Sequence, residues 1–324
     1  MIIPISYDKI FSIQNTLQFN EALSVILSYQ LLQNSVYADF YRAISSRQKK
    51  EQLIYLPVSF FKTHEVNTGG VPEEIFLSSS TTGAFPSKHF VTDSGLYRRS
   101  LLESFSYAWG NPEDYTFVSL LPSYLERGNS SLVFMMNELM KISKHAFNGF
   151  YLHNYSELAE NLRKINDSGE KCIFLGVSYA LQEFAEKFPM KLNTHISVME
   201  TGGTKGLSKN ILKEELHQIL CQAFGKEKIH SEYGMTELLS QCYSKGDGIY
   251  QCPPWVKVTT RDIYDPLTLL TPGQPGALNI IDLANMHSCP FVATDDTGMV
   301  FEDGTFKITG RLQLGEIRGC NLLL

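Results

Sequence analysis

The sequence predicts an α/β fold, with a largely parallel sheet flanked by helices and a smaller β-rich part toward the C-terminus. Three observations carry this expectation. Short apolar runs bounded by polar turns, YTFVSLLP (115–122), KCIFLGVS (171–178) and THISVME (194–200), alternate with segments of helical spacing. From 248 to 308 Pro and Gly become frequent and helical periodicity fades. The chain has 324 residues, above the size at which one core usually keeps growing, so two packed subdomains are expected.

Taken in order, residues 19–44 place Phe19, Ala22, Leu23, Ile26, Leu27 and Leu31 at helical spacing and predict one helix. The basic cluster Arg47-Gln48-Lys49-Lys50 suits the end of that helix, where positive charge complements the dipole. IYLPVSFFK (54–62) is aromatic and interrupted by proline, as in an ordered loop against a core. EIFLSSSTTG (74–83) reads as a short strand running into a hydroxyl-rich turn. Helices are expected over 131–144, 156–166 and 179–187. GALNIIDL, GMVFED and TFKIT read as short strands of the β-rich part. The composition shift near residue 245 divides the chain into an α/β core (1–245), a β-rich subdomain (246–311) and a short tail (312–324).

Hydrophobic residues at 43% supply ample core for a folded chain. The formal charge, 28 − 34 = −6, gives no general attraction to nucleic acid or to an anionic membrane. MIIPISYDKIFSI lacks a charged region followed by a long apolar block, so no secretory leader is expected. No apolar run approaches the length of a membrane span, and a cytoplasmic protein is expected. Six cysteines (Cys172, Cys221, Cys242, Cys252, Cys289, Cys320) stand at irregular spacing without a CxxC pair. That pattern predicts no zinc site and mostly buried, reduced thiols, with Cys172 and Cys289 in the core.

Four stretches carry chemistry. Ser78-Ser79-Ser80-Thr81-Thr82-Gly83 is turn material whose hydroxyls and N–H groups can line an anion site, and Lys88 adds a positive charge. Gly202-Gly203-Thr204-Lys205 follows a predicted strand, and ligands of α/β sheets collect at the C-terminal ends of strands. HSEYGMTE (230–237) offers Tyr233 to stack on a purine and Glu237 to hold Mg²⁺. TDDTGMVFEDGTFKITGR (294–311) offers the Asp296 carboxylate to ribose hydroxyls and Arg311 as a cation. Each stretch also has a plainer reading: a solvated loop, a flexible turn, a polar loop with one packed Tyr, and a pair of acidic hairpin turns at TDDTG and EDGT.

Their order resembles the adenylate-forming superfamily of acyl- and aryl-CoA ligases, luciferases and peptide-synthetase adenylation domains. SSSTTGAFPSK resembles its phosphate loop, with Ser80 where glycine is usual. EYGMTE is similar to its YGxTE motif. TDDTG followed by DGTFKITGR resembles its TGDxG…DGxxxxxGR segment, with Asp295 in place of a glycine. The resemblance implies the N-terminal-domain fold of that superfamily. It also implies that Ser78, Ser79, Ser80, Thr81, Thr82, Gly83 and Lys88 hold the ATP phosphates. Gly202, Gly203, Thr204, Tyr233, Gly234 and Thr236 would line the nucleotide pocket, Glu237 would bind Mg²⁺, and Asp296 and Arg311 would contact the ribose.

LPVSFFK, METGGTKG, HSEYGMTEL and the ending GRLQLGEIRGCNLL are similar to one branch, the acyl-protein synthetases of the bacterial bioluminescence fatty-acid reductase complex. In the superfamily a mobile C-terminal lid domain normally follows the Gly-Arg hinge. Here 324 − 311 = 13 residues follow Arg311, so the lid is expected to be absent. The branch's cysteine near the C-terminus takes the acyl group from the adenylate and passes it to a partner reductase, and Cys320 stands in the matching place.

The implied reaction uses ATP and Mg²⁺ to activate a carboxylic acid, with a long-chain fatty acid foremost, and then loads Cys320 as a thioester for a reductase or carrier protein. A thiolate opens such a mixed anhydride readily, and Arg318 nearby favours that form. Lys205 is a candidate to replace the lid domain's lysine at the α-phosphate. Phe105, Tyr107, Trp109, Phe134, Met135 and Met136 either line a channel for the acyl chain or are ordinary core. The alternatives are a shortened CoA ligase, an adenylation domain serving a separate carrier, and a scaffold that keeps the nucleotide pocket without catalysis.

Overall fold

The computed structural model describes residues 3–46, 52–79, 85–122, 128–202 and 212–312. Three N-terminal helices, α1 (Tyr7–Phe11), α2 (Thr16–Gln33) and α3 (Ser35–Ser45), open the chain. The single helix expected over 19–44 is two helices, because Asn34 is extended (φ −97°, ψ 96°). Its side-chain oxygen accepts from the Tyr37 N–H at 3.1 Å and caps α3, a position where Asn outcompetes the helix interior. Its amide donates to the Ser288 carbonyl at 2.9 Å, and Gln30 donates to the Met286 carbonyl at 2.7 Å. The break therefore docks both helices on one distant corner. The basic cluster at 47–50 lies outside the described residues.

The proline-interrupted stretch expected as a loop holds β1 (Leu56–Pro57) and the one-turn α4 (Phe60–Thr63). A hairpin of β2 (Glu74–Leu77) and β3 (Lys88–Val91) brackets the hydroxyl-rich turn. The chain then alternates as expected through α5 (Ser94–Trp109), β4 (Thr116–Leu120), α6 (Ser131–Ser143), β5 (Gly149–Tyr151), α7 (Tyr155–Ser168), β6 (Cys172–Val177), α8 (Ser178–Lys187), β7 (Ile196–Thr201), α9 (Lys213–Phe224), β8 (His230–Tyr233) and β9 (Cys242–Ser244). The strands form one sheet in the order β5-β4-β6-β7-β8-β9, parallel except for the β8–β9 pair. Every residue of β4 and β6 is buried, as strands covered on both faces require.

A second sheet follows: β10 (Ile249–Tyr250), β11 (Val256–Arg261), β12 (Pro275–Asp282), β13 (Phe291–Val300) and β14 (Phe306–Arg311), in the order β10-β14-β13-β12-β11. β1 joins it in parallel beside β13. TDDTG is not a hairpin turn but the middle of β13; the turn falls at EDG. A register shift between Thr297 and Gly298 lets the strand continue. A side chain at 298 would place its first carbon 2.2 Å from the Lys307 carbonyl, so the close approach of β13 and β14 needs glycine there.

Of the six residues weighed as an acyl channel, Phe105, Met135 and Met136 are buried in the same hydrophobic core, and Trp109 and Phe134 pack against it. Phe105 packs on Tyr115, Phe117 and Tyr243, whereas Phe134 stacks on Tyr97 at 5.1 Å. Met135 and Met136 are buried, Trp109 meets His230 edge-on at 4.9 Å, and Tyr107 is 48% exposed. Five of the six therefore pack as ordinary core, with Tyr107 at the surface. Cys172 and Cys289 are fully buried, as expected.

Candidate functional site

The site forms where the two sheets meet. From Ser87 into β3 the pleat points alternate residues inward, so Ser87 and His89 are buried while Lys88 faces solvent. The Ser87 hydroxyl lies close enough to the Glu237 carboxylate to favour its ionised form. His89 Nδ1 donates to the Thr236 carbonyl at 2.7 Å, and its Nε2 lies 3.2 Å from Asn285 Oδ1. Asn285 in turn donates to the Glu237 carbonyl at 2.8 Å. The strand that follows the hydroxyl-rich segment is thus tied directly to the YGMTE segment. Burial pushes His89 down to about 4, which leaves the ring neutral and the Nδ1–H committed to Thr236.

Asp282, just beyond the same corner, is buried and accepts from the N–H groups of Leu239 and Ser240 at 2.9 Å each and from the Ser240 hydroxyl at 2.7 Å. The segment from Thr236 to Ser240 is therefore anchored by His89, Asn285 and Asp282, partners far apart in sequence. Burial raises the Glu237 carboxyl, opposed by the nearby Ser87 hydroxyl and by the charge of Arg311.

Across the junction, Tyr233 at the end of β8 donates its hydroxyl to Asp296 Oδ2 at 2.9 Å. Asp296 comes from β13 of the other sheet, and Arg311 Nε at the end of β14 lies 3.6 Å from its Oδ1. The β13–β14 register sets this last pair directly opposite. Thr201 pairs with Glu232, so Gly202 leaves β7 beside Tyr233 with φ at +88°, a left-handed turn that glycine adopts without strain.

Behind Gly202 lie two buried carboxylates of opposite character. Burial pushes Glu200 up, but His217, whose Nε2 lies 3.6 Å away, and the Lys213 ammonium at 2.5 Å outweigh it and hold the group at about 2. Glu232 lacks such a cation; burial raises it to about 7 against the hydrogen bond from the Thr201 hydroxyl. The stability supplied by neutral Glu232 is present below its ordinary value near 4.5 and is lost as pH rises through about 7. Glu232→Gln removes that loss. Urea denaturation at a series of pH values is expected to show the variant gaining on the wild type between pH 4.5 and 7, by about 3 kcal/mol at the plateau. A constant difference across that window overturns the assignment.

The structure brings Glu237, Thr236, Tyr233, Gly234, Asp296, Arg311 and Gly202 to one junction, with Ser78, Ser79 and Lys88 at the mouth of the β2–β3 hairpin. Ser80, Thr81, Thr82, Gly83, Gly203, Thr204, Lys205, Arg318 and Cys320 lie outside the described residues. The sequence reasoning missed His89, Asn285 and Asp282. The signal for His89 was the period-2 alternation of Ser87-Lys88-His89 in a strand; Asn285 and Asp282 carry no local signal, since their partners are about 40 to 200 residues away.

A family model described as acyl-protein synthetase, LuxE, matches residues 137–324, more than half of the chain. The chain belongs to the LuxE acyl-protein synthetase family. This LuxE-family enzyme, a ligase, is 24% identical over 323 residues to the long-chain-fatty-acid–luciferin-component ligase of Vibrio harveyi, across 91% of this chain and 84% of that protein. Among solved structures it is similar to ATP-bound MatB from Rhodopseudomonas palustris (TM-score 0.55, 17% identity, 75% of this chain and 49% of that one). It is also similar to a long-chain-fatty-acid-CoA ligase, FadD1, from Archaeoglobus fulgidus (TM-score 0.51, 17% identity, 74% and 51%). The synthetase spans about half the length of these two structures. At such identities the likeness concerns the fold, which is that of the N-terminal domains of adenylate-forming enzymes. Among the described residues, no helix of the LuxE-family chain is long and apolar enough to cross a membrane.

Proposed function

We propose that this synthetase activates a carboxylic acid, foremost a long-chain fatty acid, with ATP and loads it on Cys320 for a partner reductase or carrier protein in the cytoplasm. The supporting observation is the joining of the strand that follows the hydroxyl-rich segment to the YGMTE segment through the 2.7 Å His89–Thr236 hydrogen bond, with Ser87 beside Glu237. Two such segments held apart would leave no pocket. In this reading Ser78 to Gly83 and Lys88 cradle the phosphates. Gly202, Gly203, Thr204, Tyr233, Gly234 and Thr236 line the base side, and Asp296 with Arg311 takes the ribose. The first 245 residues act as the α/β core, 246–311 as the β-rich subdomain and 312–324 as the acyl-bearing tail.

The Glu237 carboxylate fits a Mg²⁺ ion brought in by the nucleotide: a buried oxygen donor with the Ser87 hydroxyl nearby. Among the described residues no three His, Cys, Asp or Glu side chains gather as a protein cage. One carboxylate is the usual protein share for a Mg²⁺ that keeps water and phosphate oxygens as its other ligands. When bound, the ion neutralises charge on the leaving pyrophosphate. Tyr233 and Asp296 orient the nucleoside, and Lys88 and Lys205 face charge developing on the phosphates. The acid's carboxylate oxygen forms a bond to the α-phosphorus as pyrophosphate leaves. The Cys320 thiolate then attacks the acyl carbonyl and AMP leaves.

The test is incubation of the protein with ATP, Mg²⁺ and a labelled long-chain fatty acid, followed by denaturation. Label removed by hydroxylamine is expected on the wild type and is expected to vanish in Cys320→Ala, while ATP–pyrophosphate exchange stays within about twofold. Undiminished label in the variant rejects Cys320 as carrier. Free acyl-CoA as the main product when CoA is supplied favours a CoA ligase instead.

A further inference from the structure

The junction between the two sheets holds a pair of thiols. Cys242 starts β9, the last strand of the parallel sheet, and Cys252 follows β10, an edge strand of the β-rich sheet. Their sulfurs are 3.0 Å apart. The neighbouring residues Tyr243 and Gln251 exchange both backbone hydrogen bonds, at 3.2 and 2.9 Å. Cys242 and Cys252 therefore occupy the adjacent non-hydrogen-bonded position of the same antiparallel pairing. Such pairs bring opposed Cα atoms to about 4.5 Å, within the range of about 4.4–6.8 Å that a disulfide spans. The backbone already has the geometry of a bridge.

We propose that Cys242 and Cys252 are a reversible redox modification site that reacts with low-molecular-weight disulfides and staples the two sheets together. The two thiols have distinct roles. Cys252 is partly exposed and is the attacking group; Cys242 is buried and is the resolving group. Burial pushes the Cys242 thiol up, so it is slow to react with a reagent from solvent. Cys252, as thiolate, attacks one sulfur of glutathione disulfide; that S–S bond breaks and one glutathione thiolate leaves, taking a proton. Cys242 then gives up its proton and attacks Cys252 Sγ in the mixed disulfide, and the second glutathione leaves. Two protein thiols are oxidised and one glutathione disulfide is reduced to two thiols.

The position gives the bridge a consequence. Cys242 pairs with Tyr233 across β8 and β9, and Tyr233 reaches Asp296 in the other sheet. A Cys242–Cys252 bond adds a covalent link beside that one hydrogen bond, across the same junction. The other described cysteines have no such partner at hand: Cys172 and Cys289 are fully buried and Cys221 lies on α9. This inference is independent of the proposed reaction.

The experiment uses the full-length, fully reduced protein. It is exposed to a series of glutathione disulfide-to-glutathione ratios, quenched in acid, alkylated, digested and mapped by mass spectrometry. The expected product is a Cys242–Cys252 linkage lighter by two hydrogens, reversed by dithiothreitol and formed before any other disulfide. Oxidation is expected to raise the thermal midpoint by about 3 °C in the wild type, and to leave it unmoved in Cys252→Ser. Cys242→Ser is expected to stop at a stable glutathione adduct on Cys252. A wild-type adduct on Cys252 that never resolves, earlier pairing of either residue with another cysteine, or an unreacted pair overturns the proposal.

Discussion

Glu237→Gln is expected to lower the rate of ATP–pyrophosphate exchange by about 100-fold or more while the protein keeps its fold. The variant preserves volume, and its amide oxygen can still accept from the nearby Ser87 hydroxyl. What it loses is the negative charge, and removing one preorganised electrostatic partner of a charged reaction centre costs about 10²–10³ in rate. Stability is expected to hold or rise, because Glu237 is 5% exposed and burial opposes its ionisation. The check is exchange kinetics over a Mg²⁺ titration, alongside thermal unfolding. Exchange within about threefold of wild type in a folded variant removes Glu237 from the metal role.

His89→Ala is the second large effect, and it acts through position. His89 touches no reacting atom in the proposed reaction; it fixes the Thr236 carbonyl at 2.7 Å and faces Asn285, which fixes the Glu237 carbonyl. Removing the buried ring leaves a cavity and an unpaired carbonyl, at a cost of about 3 kcal/mol. It also frees the Thr236–Glu237 backbone, and kcat for exchange is expected to fall about 10- to 100-fold with a smaller change in KM for ATP. His89→Asn places an amide N–H near the position of Nδ1 and is expected to restore most of kcat. Equal loss of kcat in both variants, or loss of stability alone with unchanged kcat, reduces His89 to a packing residue.

Much of the architecture was readable because its signals are local. The apolar runs of β4, β6 and β7 need no partner to be recognised, since strands buried on both faces are apolar throughout. The helices between them began and ended within about two residues of their expected bounds. The misread elements are those whose outcome depends on something distant. Asn34 breaks the predicted long helix because Ser288 and Met286 wait to receive Asn34 and Gln30. TDDTG holds turn-forming residues, yet β12 and β14 on either side supply a strand with hydrogen bonds that a turn would forgo.

The resemblance of the motif order to the adenylate-forming superfamily is what singled out Tyr233, Glu237, Asp296 and Arg311 and linked them with carboxylate activation. Whether those side chains meet was a different matter. Tyr233 and Asp296 are 63 residues apart and belong to different sheets, and it is packing that sets them 2.9 Å apart. The clamp of His89, Asn285 and Asp282 and the Cys242–Cys252 contact likewise came into view with the fold. A hydrogen bond depends on separation in space, and a chain's spacing in sequence leaves that separation open until its sheets have closed on each other.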